Sequence, residues 1–226
     1  YLVDNNNLHL IALHDNMRKE LNEMFSTDKT LILPNGIDFS KYQGIPETKT
    51  EIRETINVPC DAFVVGHIGR FTEAKNHDKL IDIFKEVVKI KPTAHLLMIG
   101  TGELQDKVEA KLHEYGLDDK YTILHHRNDI PRLLKSMDIF VFPSKFEGLP
   151  VTLVEAQVSK LRCLISTNVT EECFFSDEAV PLDIKAPSTK WADTIFDKTI
   201  RGKIHNDITS FDLKQVIKRL AQLYKS

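Results

Sequence analysis

The sequence predicts an α/β fold in which a parallel β-sheet is covered by helices on both faces. From residue 60 onward, short apolar segments typical of buried strands alternate with amphipathic segments of helical period. The connections between these segments are short, and repeated strand–helix–strand units of this kind build parallel sheets. Ligands of such sheets bind beyond the carboxyl ends of the strands, so the residues that follow each strand are candidates for a functional site.

Each predicted strand is an apolar run, and together the strands cover residues 62–69, 94–99, 121–124, 139–142 and 163–166. The first run is apolar almost throughout, as expected for a strand buried on both faces. Gly100 follows the second run and Pro143 follows the fourth, and both residue types favour turns.

The helices between these strands are predicted from apolar residues at helical spacing, and they cover residues 78–90, 103–115, 130–137 and 150–159. In the first of them, Leu80, Phe84 and Val87 share one face. Pro92 ends this helix and Gly116 ends the next one, because proline and glycine are common beyond helix C-termini.

The two ends of the chain differ from this core. We predict one amphipathic helix over 8–25, a short strand running into a turn over 31–38, and a last helix over 211–224. Residues 168–186 show weak periodicity and receive no assignment. The predicted organisation is an N-terminal helix and linker remnant at 1–29, a ligand-binding domain at 30–210 and a C-terminal helix at 211–226.

Composition excludes several classes of function. A net charge of −3 gives no electrostatic case for nucleic acid as a partner. No apolar run approaches the roughly 20 residues of a membrane span, and residues 1–7 carry no signal sequence. Since the sequence does not start with Met, we expect it to be a piece of a longer protein.

The cysteines and histidines indicate neither a disulfide framework nor a metal site. Cys60, Cys163 and Cys173 are odd in number and lack CxxC spacing, which favours buried thiols in a reducing, cytoplasmic setting. His125 and His126 are adjacent, and neighbours on a strand point to opposite faces. We therefore expect no metal held by protein side chains alone.

Residues after the predicted strands indicate a diphosphate ligand. Neither GxGxxG after the first strand nor GxxxxGK[ST] is present, so the two common phosphate loops are excluded. Gly69 and Arg70 follow the first strand and Lys75 lies close by, and an Arg fork with a Lys point charge suits a diphosphate. The predicted helix start at 148–150 adds free backbone N–H groups and a positive dipole end, with Pro150 at the first helical position.

Two glutamates flank this helix start, and we predict different roles for them. Glu155, one and a half turns into the helix, would repel phosphates if it faced them, and it is better placed to accept hydrogen bonds from a ribose. Glu147, on the loop at the other side of the phosphates, would meet the group that extends beyond them, which a sugar satisfies.

The motifs together resemble a known enzyme family. Gly-Arg…Lys-Asn, Gly-x-Gly, Arg-Asn-Asp and Glu-x7-Glu are similar to the C-terminal domain of retaining glycosyltransferases of the GT-B fold, family GT4. The segments GHIGRFTEAKNHDKLIDIFKEV and HRNDIPRLLKSMDIFVFPSKFEGLPVTLVEAQ resemble bacterial enzymes of capsular or exopolysaccharide biosynthesis. The sequence departs from this family at residues 159–162. The family often has a Gly-x-Pro turn there, and this chain has Ser-Lys-Leu-Arg.

This resemblance implies a Rossmann-like, donor-binding domain over 30–210 and a role for each matching residue. Arg70 and Lys75 match the diphosphate-binding pair, Glu147 the contact to the donor sugar, and Glu155 the ribose contact. Leu149, beside Gly148, matches a backbone donor to the phosphate. The other matches are Gly102, near the phosphates and sugar, and Arg127 with Asn128, where the family holds the base mainly through main-chain groups.

The implied reaction is transfer of a hexosyl unit from a nucleoside diphosphate sugar to a polysaccharide or lipid-linked acceptor, with retained configuration and no cofactor. An N-terminal acceptor domain would complete the enzyme, and without it we expect this half to be inactive. A GT-B epimerase and a non-catalytic regulatory module of the same architecture are the rival functions.

Two local features keep simpler alternatives. Arg127, Asn128 and Asp129 fit a helix cap as well as a base-binding segment. Several basic residues suit a solvated face, but they also leave open a weak, peripheral binding to the inner face of the plasma membrane. These residues are Lys160, Arg162, Lys214, Lys218, Arg219 and Lys225.

Overall fold

A short parallel pair of strands opens the described chain, which covers residues 9–224 of the computed structural model. The pair is β1 (Ile11–Ala12) and β2 (Leu31–Ile32), and α1 (Asp15–Phe25) connects them. Residues 1–8 and 225–226 lie outside the described part, and with them the start of the first predicted helix, the segment examined for a signal sequence, and Lys225.

The prediction of a single helix over 8–25 is wrong in its first part. Backbone N–H groups of Leu31 and Leu33 donate to the carbonyls of Leu10 and Ala12 at 2.9 and 2.8 Å, so this stretch is extended. The helix begins after His14, whose Nδ1 accepts the Met17 N–H at 3.3 Å. The apolar residues that suggested one helix therefore belong to two elements, the strand β1 and the helix α1.

A six-stranded parallel sheet forms the core of residues 41–206, and its strands are β3 (Phe63–Ile68), β4 (Ala94–Ile99), β5 (Tyr121–Leu124), β6 (Ile139–Phe142), β7 (Cys163–Ser166) and β8 (Ala179–Leu182). Their order is β5-β4-β3-β6-β7-β8, and every neighbouring pair is parallel. Five of these strands are the predicted ones. β8 lies in the segment that received no assignment.

Helices cover both faces of the sheet, and they are α2 (Lys49–Thr55), α3 (His77–Ile90), α4 (Gln105–Glu114), α5 (Ile130–Ser136), α6 (Val151–Val158) and α7 (Ser188–Phe196). On one face, Phe140 of β6 packs in a cluster with apolar residues of α5 and α6. On the other face, Val141 packs with residues of α3, α4 and α7. This alternation confirms the predicted α/β fold, a Rossmann-like parallel sheet sandwiched by helices.

The described chain divides into two compact units. One unit holds the described residues up to Ser40 together with those from Asp207 onward, which include α8 (Leu213–Leu223); the other is Lys41–Asn206. The predicted boundaries after residues 29 and 210 stay predictions. Between residues 9 and 224, no helix has the length and apolar character needed to cross a membrane.

Two expectations about side chains are corrected by their surroundings. Cys163 and Cys173 are buried as predicted, but Cys60 is exposed. Arg162, expected on a solvated face, is only 9% exposed and donates to the Glu178 carboxylate and to three backbone carbonyls, those of Thr194, Asp197 and Ile200. Its guanidinium therefore ties β7 to the end of α7.

Candidate functional site

The carboxyl ends of three adjacent strands, β4, β3 and β6, bring together most of the predicted site residues. β3 lies between β4 and β6, so the loops that follow these strands are neighbours. The loop after β3 contains Gly69 to Lys75, and the loop after β4 contains Gly102. The loop after β6 contains Glu147 to Leu149. Arg127 and Asn128 follow β5, one strand further out on the side of β4.

The loops after β3 and β4 pack backbone against backbone. The Phe71 N–H donates to Thr101 O at 3.0 Å, and the Leu104 N–H donates to Phe71 O at 3.1 Å. A Cβ on Gly102 would lie 2.5 Å from Phe71 O, and one on Gly100 would lie 2.0 Å from Gly69 O. These glycines therefore permit a close approach of two loops that a side chain would prevent.

The loops after β3 and β6 are fixed to each other by two backbone-directed hydrogen bonds. Asn76 adopts a left-handed conformation, with φ of 54°, and its Nδ2 donates to Pro143 O at 3.1 Å. The Lys145 N–H donates to Ala74 O at 2.8 Å. These bonds set the distance between the loop that carries Lys75 and the loop that carries Glu147.

Lys75 and Glu147 form an ion pair at the junction of these loops. Lys75 Nζ lies 2.7 Å from Glu147 Oε1, with side chains 17% and 14% exposed. The same Nζ lies 4.8 Å from the ring centroid of Phe142, the last residue of β6, at a distance typical of a cation–π contact. Lys75 is thus held in place by two neighbours before any ligand binds.

Arg70 differs from Lys75 in being open to solvent. Its side chain is exposed, and its guanidinium has no ion-pair or hydrogen-bond partner within residues 9–224. The β3 loop therefore offers one held cation and one uncommitted fork of donors. An anion that reached both would gain charge-assisted hydrogen bonds without displacing a partner of Arg70.

The start of α6 lies on the Glu147 side of the site. Pro150 occupies the position just before the helix, one residue earlier than predicted, and no side chain caps the free N–H groups of the first turn. Gly148 is exposed and Leu149 packs against the core. Anion binding by the N–H groups at this helix start stays a prediction.

Glu155, on the second turn of α6, is engaged by a residue far away in sequence. The Tyr42 hydroxyl donates to Glu155 Oε1 at 2.6 Å. Burial raises the pKa of Glu155, and the Tyr42 hydrogen bond acts in the opposite direction. Glu155 lies beyond the first turn of α6, so a favourable interaction with the helix dipole is a poor explanation for a carboxylate at this position.

Arg127 and Asp129 form a bidentate pair in the loop after β5. Arg127 Nε and Nη2 donate to the two carboxylate oxygens of Asp129 at 2.7 and 2.6 Å, which lowers the pKa of Asp129. Asp129 stands at the N-cap of α5, yet its side chain makes no capping hydrogen bond. The capping alternative is therefore wrong for Asp129, and Asn128 is exposed beside it.

Two buried histidines lie beneath the Lys75 loop, and the sequence analysis missed them. His67 Nδ1 donates to Val141 O at 2.9 Å, and its ring meets that of His77 edge-on at 4.8 Å. Burial lowers the pKa of His67 strongly and lowers that of His77 to about 4, so both rings are neutral. A polar residue inside the apolar run 63–68 is the one signal that pointed to His67.

Comparison with known proteins identifies relatives of this chain. The family model for glycosyl transferases group 1 matches residues 48–173, more than half of the chain. The capsular polysaccharide biosynthesis glycosyltransferase CapH of Staphylococcus aureus is 31% identical over 71% of this chain and 47% of its own length. The UDP-Gal:alpha-D-GlcNAc-diphosphoundecaprenol alpha-1,3-galactosyltransferase of Escherichia coli is 29% identical over 75% and 45%.

Solved structures show the same fold. The crystal structure of Anabaena Alr3699/HepE in complex with UDP and glucose superposes with a TM-score of 0.79 at 20% identity, covering 96% of this chain and 62% of that one. The chain spans about half the length of the curated relatives that it matches.

Proposed function

Because this chain belongs to the glycosyl transferases group 1 family, we propose that it is the donor-binding part of a retaining hexosyltransferase. The donor is a nucleoside diphosphate sugar, and the acceptor is a polysaccharide or a lipid-linked saccharide in capsule or exopolysaccharide biosynthesis. Similarity to proteins whose names include capsular polysaccharide biosynthesis and a diphosphoundecaprenol acceptor supports this proposal. The acceptor is held by an N-terminal domain of the whole protein.

One observation carries the assignment of the donor site. A held cation, Lys75, and an uncommitted one, Arg70, leave the same loop beside the uncapped start of α6. Negative charge develops on the diphosphate as the sugar departs, and donors already in place stabilise this charge without rearranging. On this proposal Arg70, Lys75 and the first N–H groups of α6 neutralise the leaving group, and no cofactor beyond the donor is needed.

The carboxylates and the β5 loop bind the neutral parts of the donor. Glu147 accepts hydrogen bonds from the hydroxyls of the transferred sugar, and Glu155 accepts them from the ribose. Arg127 and Asn128 border the base, which their main-chain groups contact. The pairing of Arg127 with Asp129 supports this main-chain role, because it keeps the guanidinium occupied.

We also propose that the protein acts in the cytoplasm and that any contact with the inner face of the plasma membrane is peripheral. Arg162 cannot contribute to such contact because its guanidinium is buried against the end of α7. Among the described residues, the exposed Lys160, Lys214, Lys218 and Arg219 are the remaining candidates.

Calorimetry with UDP and uridine tests the diphosphate assignment. Arg70→Ala is expected to weaken UDP binding by about 1.5–3 kcal/mol, the scale of hydrogen bonds to charged groups. The variant is expected to bind uridine as the wild type does. UDP binding by the wild type is expected to be the same with and without a chelator. Lys203→Ala, a change at another exposed cation, is the control. Equal losses for nucleoside and nucleotide would refute the assignment, and loss of UDP binding on chelation would refute the absence of a metal.

A further inference from the structure

The hydrogen bond between Tyr42 and Glu155 joins residues 113 positions apart in the chain. At 2.6 Å it is as short as hydroxyl-to-carboxylate bonds in proteins usually are. Tyr42 lies outside every motif in the sequence that indicates the donor site. A contact between such a residue and a predicted binding carboxylate suggests a role for it in the site.

The surroundings of both side chains limit their movement. Tyr42 ends the 3-10 turn Phe39–Tyr42, and its ring packs against the apolar cluster that lies under α6. Glu155 leaves α6 between the buried residues Val154 and Ala156. A carboxylate on a packed helix, bound at one oxygen by a packed phenol, has few orientations available.

We propose that Tyr42 is a positioning residue that fixes Glu155 for recognition of the donor ribose. By holding Oε1, the phenol turns Oε2, which contacts no donor among residues 9–224, toward the 2′- and 3′-hydroxyls. This inference rests on the proposed role of Glu155 and adds a residue that the family motifs do not contain.

Electrostatics gives the contact a second consequence. Burial alone would favour the protonated carboxyl, which accepts hydrogen bonds poorly. The phenol O–H stabilises the ionised form and so lowers the pKa of Glu155 relative to the same site without it. Within the described chain, Tyr42 is the ionisable neighbour that shifts this group. Tyr42 therefore both orients the carboxylate and opposes the rise in its pKa that burial causes.

The test compares UDP with 2′,3′-dideoxy-UDP, since their affinity ratio isolates the ribose hydroxyls from the phosphates and the base. Tyr42→Phe keeps the ring and removes the hydroxyl. It is expected to reduce the ratio roughly tenfold, close to the lower end of the range for one hydrogen bond to a charged group. The matched control is Tyr115→Phe, because the Tyr115 hydroxyl also donates to a carboxylate, that of Asp82, at 2.9 Å. Tyr115 lies at the C-terminal end of α4. The control ratio is expected to equal that of the wild type.

A pH series supplies a readout that lost packing would not change. The affinity ratio of wild type falls as the pH drops through the pKa of Glu155, because the protonated carboxyl loses its acceptor strength. Removing the phenol raises this pKa, so the fall begins at a higher pH in Tyr42→Phe. Glu155→Gln has no carboxyl to titrate, and its ratio is expected to be low and independent of pH.

The outcomes separate this inference from the proposed function. If Glu155→Gln lowers the ratio while Tyr42→Phe leaves both the ratio and its pH profile as in wild type, the positioning role is refuted and the ribose role of Glu155 stands. If Glu155→Gln keeps the wild-type ratio, the ribose role itself is wrong. Unfolding midpoints of all variants establish that each is folded at the temperature of measurement.

Discussion

At the scale of single residues, the pairing of Lys75 with Glu147 changes how the site works. The sequence placed Lys75 at the phosphates and Glu147 on their far side, as if the two acted independently. They lie 2.7 Å apart, so each holds the other before a donor binds. On the proposed function, Glu147 compensates part of the charge that Lys75 offers to a diphosphate, and the exposed Arg70 is expected to attract the diphosphate more strongly. The two neutral histidines beneath the loop add no positive charge that would displace Lys75.

This pairing predicts opposite effects of one substitution on two ligands. Glu147→Gln releases Lys75 from its counter-ion, so affinity for plain UDP is expected to rise by about 1 kcal/mol, the Coulomb energy scale for partly screened charges. Affinity for the intact sugar donor is expected to fall relative to UDP, because an acceptor for the sugar hydroxyls is weakened.

Calorimetry with both ligands measures this difference. Glu73→Gln is the control, since Glu73 lies in the same loop and pairs with Lys145 at 2.7 Å, but is largely exposed. A comparable gain in UDP affinity in both variants would mean that general charge, and not the release of Lys75, is responsible. A loss of UDP affinity in Glu147→Gln would contradict the proposed competition.

At the scale of elements, the site depends on how closely the loops after β3 and β4 approach. Gly100 is the most constrained glycine of this junction, because its φ is 154° and a Cβ would meet Gly69 O at 2.0 Å. Gly116, which follows α4, also has a positive φ of 65°, but nothing lies within 4 Å of its would-be Cβ. Both conformations would strain an L-residue, but only at Gly100 would the added Cβ also collide with backbone.

The two glycines therefore predict different losses of stability. Gly116→Ala is expected to cost about 1–2 kcal/mol, the penalty for a left-handed L-residue. Gly100→Ala is expected to cost about 4 kcal/mol or more, since a shift of packed backbone is added to that strain. Denaturant unfolding of both variants measures the difference, and equal losses would show that the two loops separate easily.

The sequence predicted the elements better than their neighbours in space. Five strands of the large sheet were found because apolar runs such as 139–142 and 94–99 are unambiguous. β8 was not, because Pro181 interrupts its short apolar run and Asp183 follows the run directly. The adjacency of β3 and β6, which brings Lys75 to Glu147, is a property of topology that periodicity does not contain. The Tyr42 contact was invisible for the same reason, since a lone tyrosine in a loop carries no pattern.

At the scale of the whole molecule, the proposed function assigns the donor to this chain and the acceptor to another domain. It spans about half the length of the relatives it matches, and the motifs that indicate a ligand all lie at one edge of one sheet. Transfer needs donor and acceptor held together, and this proximity supplies a large part of the rate of a two-substrate reaction. Binding and catalysis should therefore separate when this chain is studied alone.

The last prediction follows from that separation. The 226-residue chain is expected to bind UDP and a UDP-sugar, yet to transfer no measurable hexose to an added saccharide or lipid-linked acceptor. The measurement pairs calorimetry with a transfer assay on the same preparation, so that an intact donor site is demonstrated where transfer is absent. Adding the N-terminal domain proposed to hold the acceptor, fused or as a separate chain, is expected to restore transfer, and Arg70→Ala is expected to abolish most of the restored rate. Robust glycosylation by the chain alone would show that it contains the acceptor site as well, and that the division of labour proposed for it is wrong.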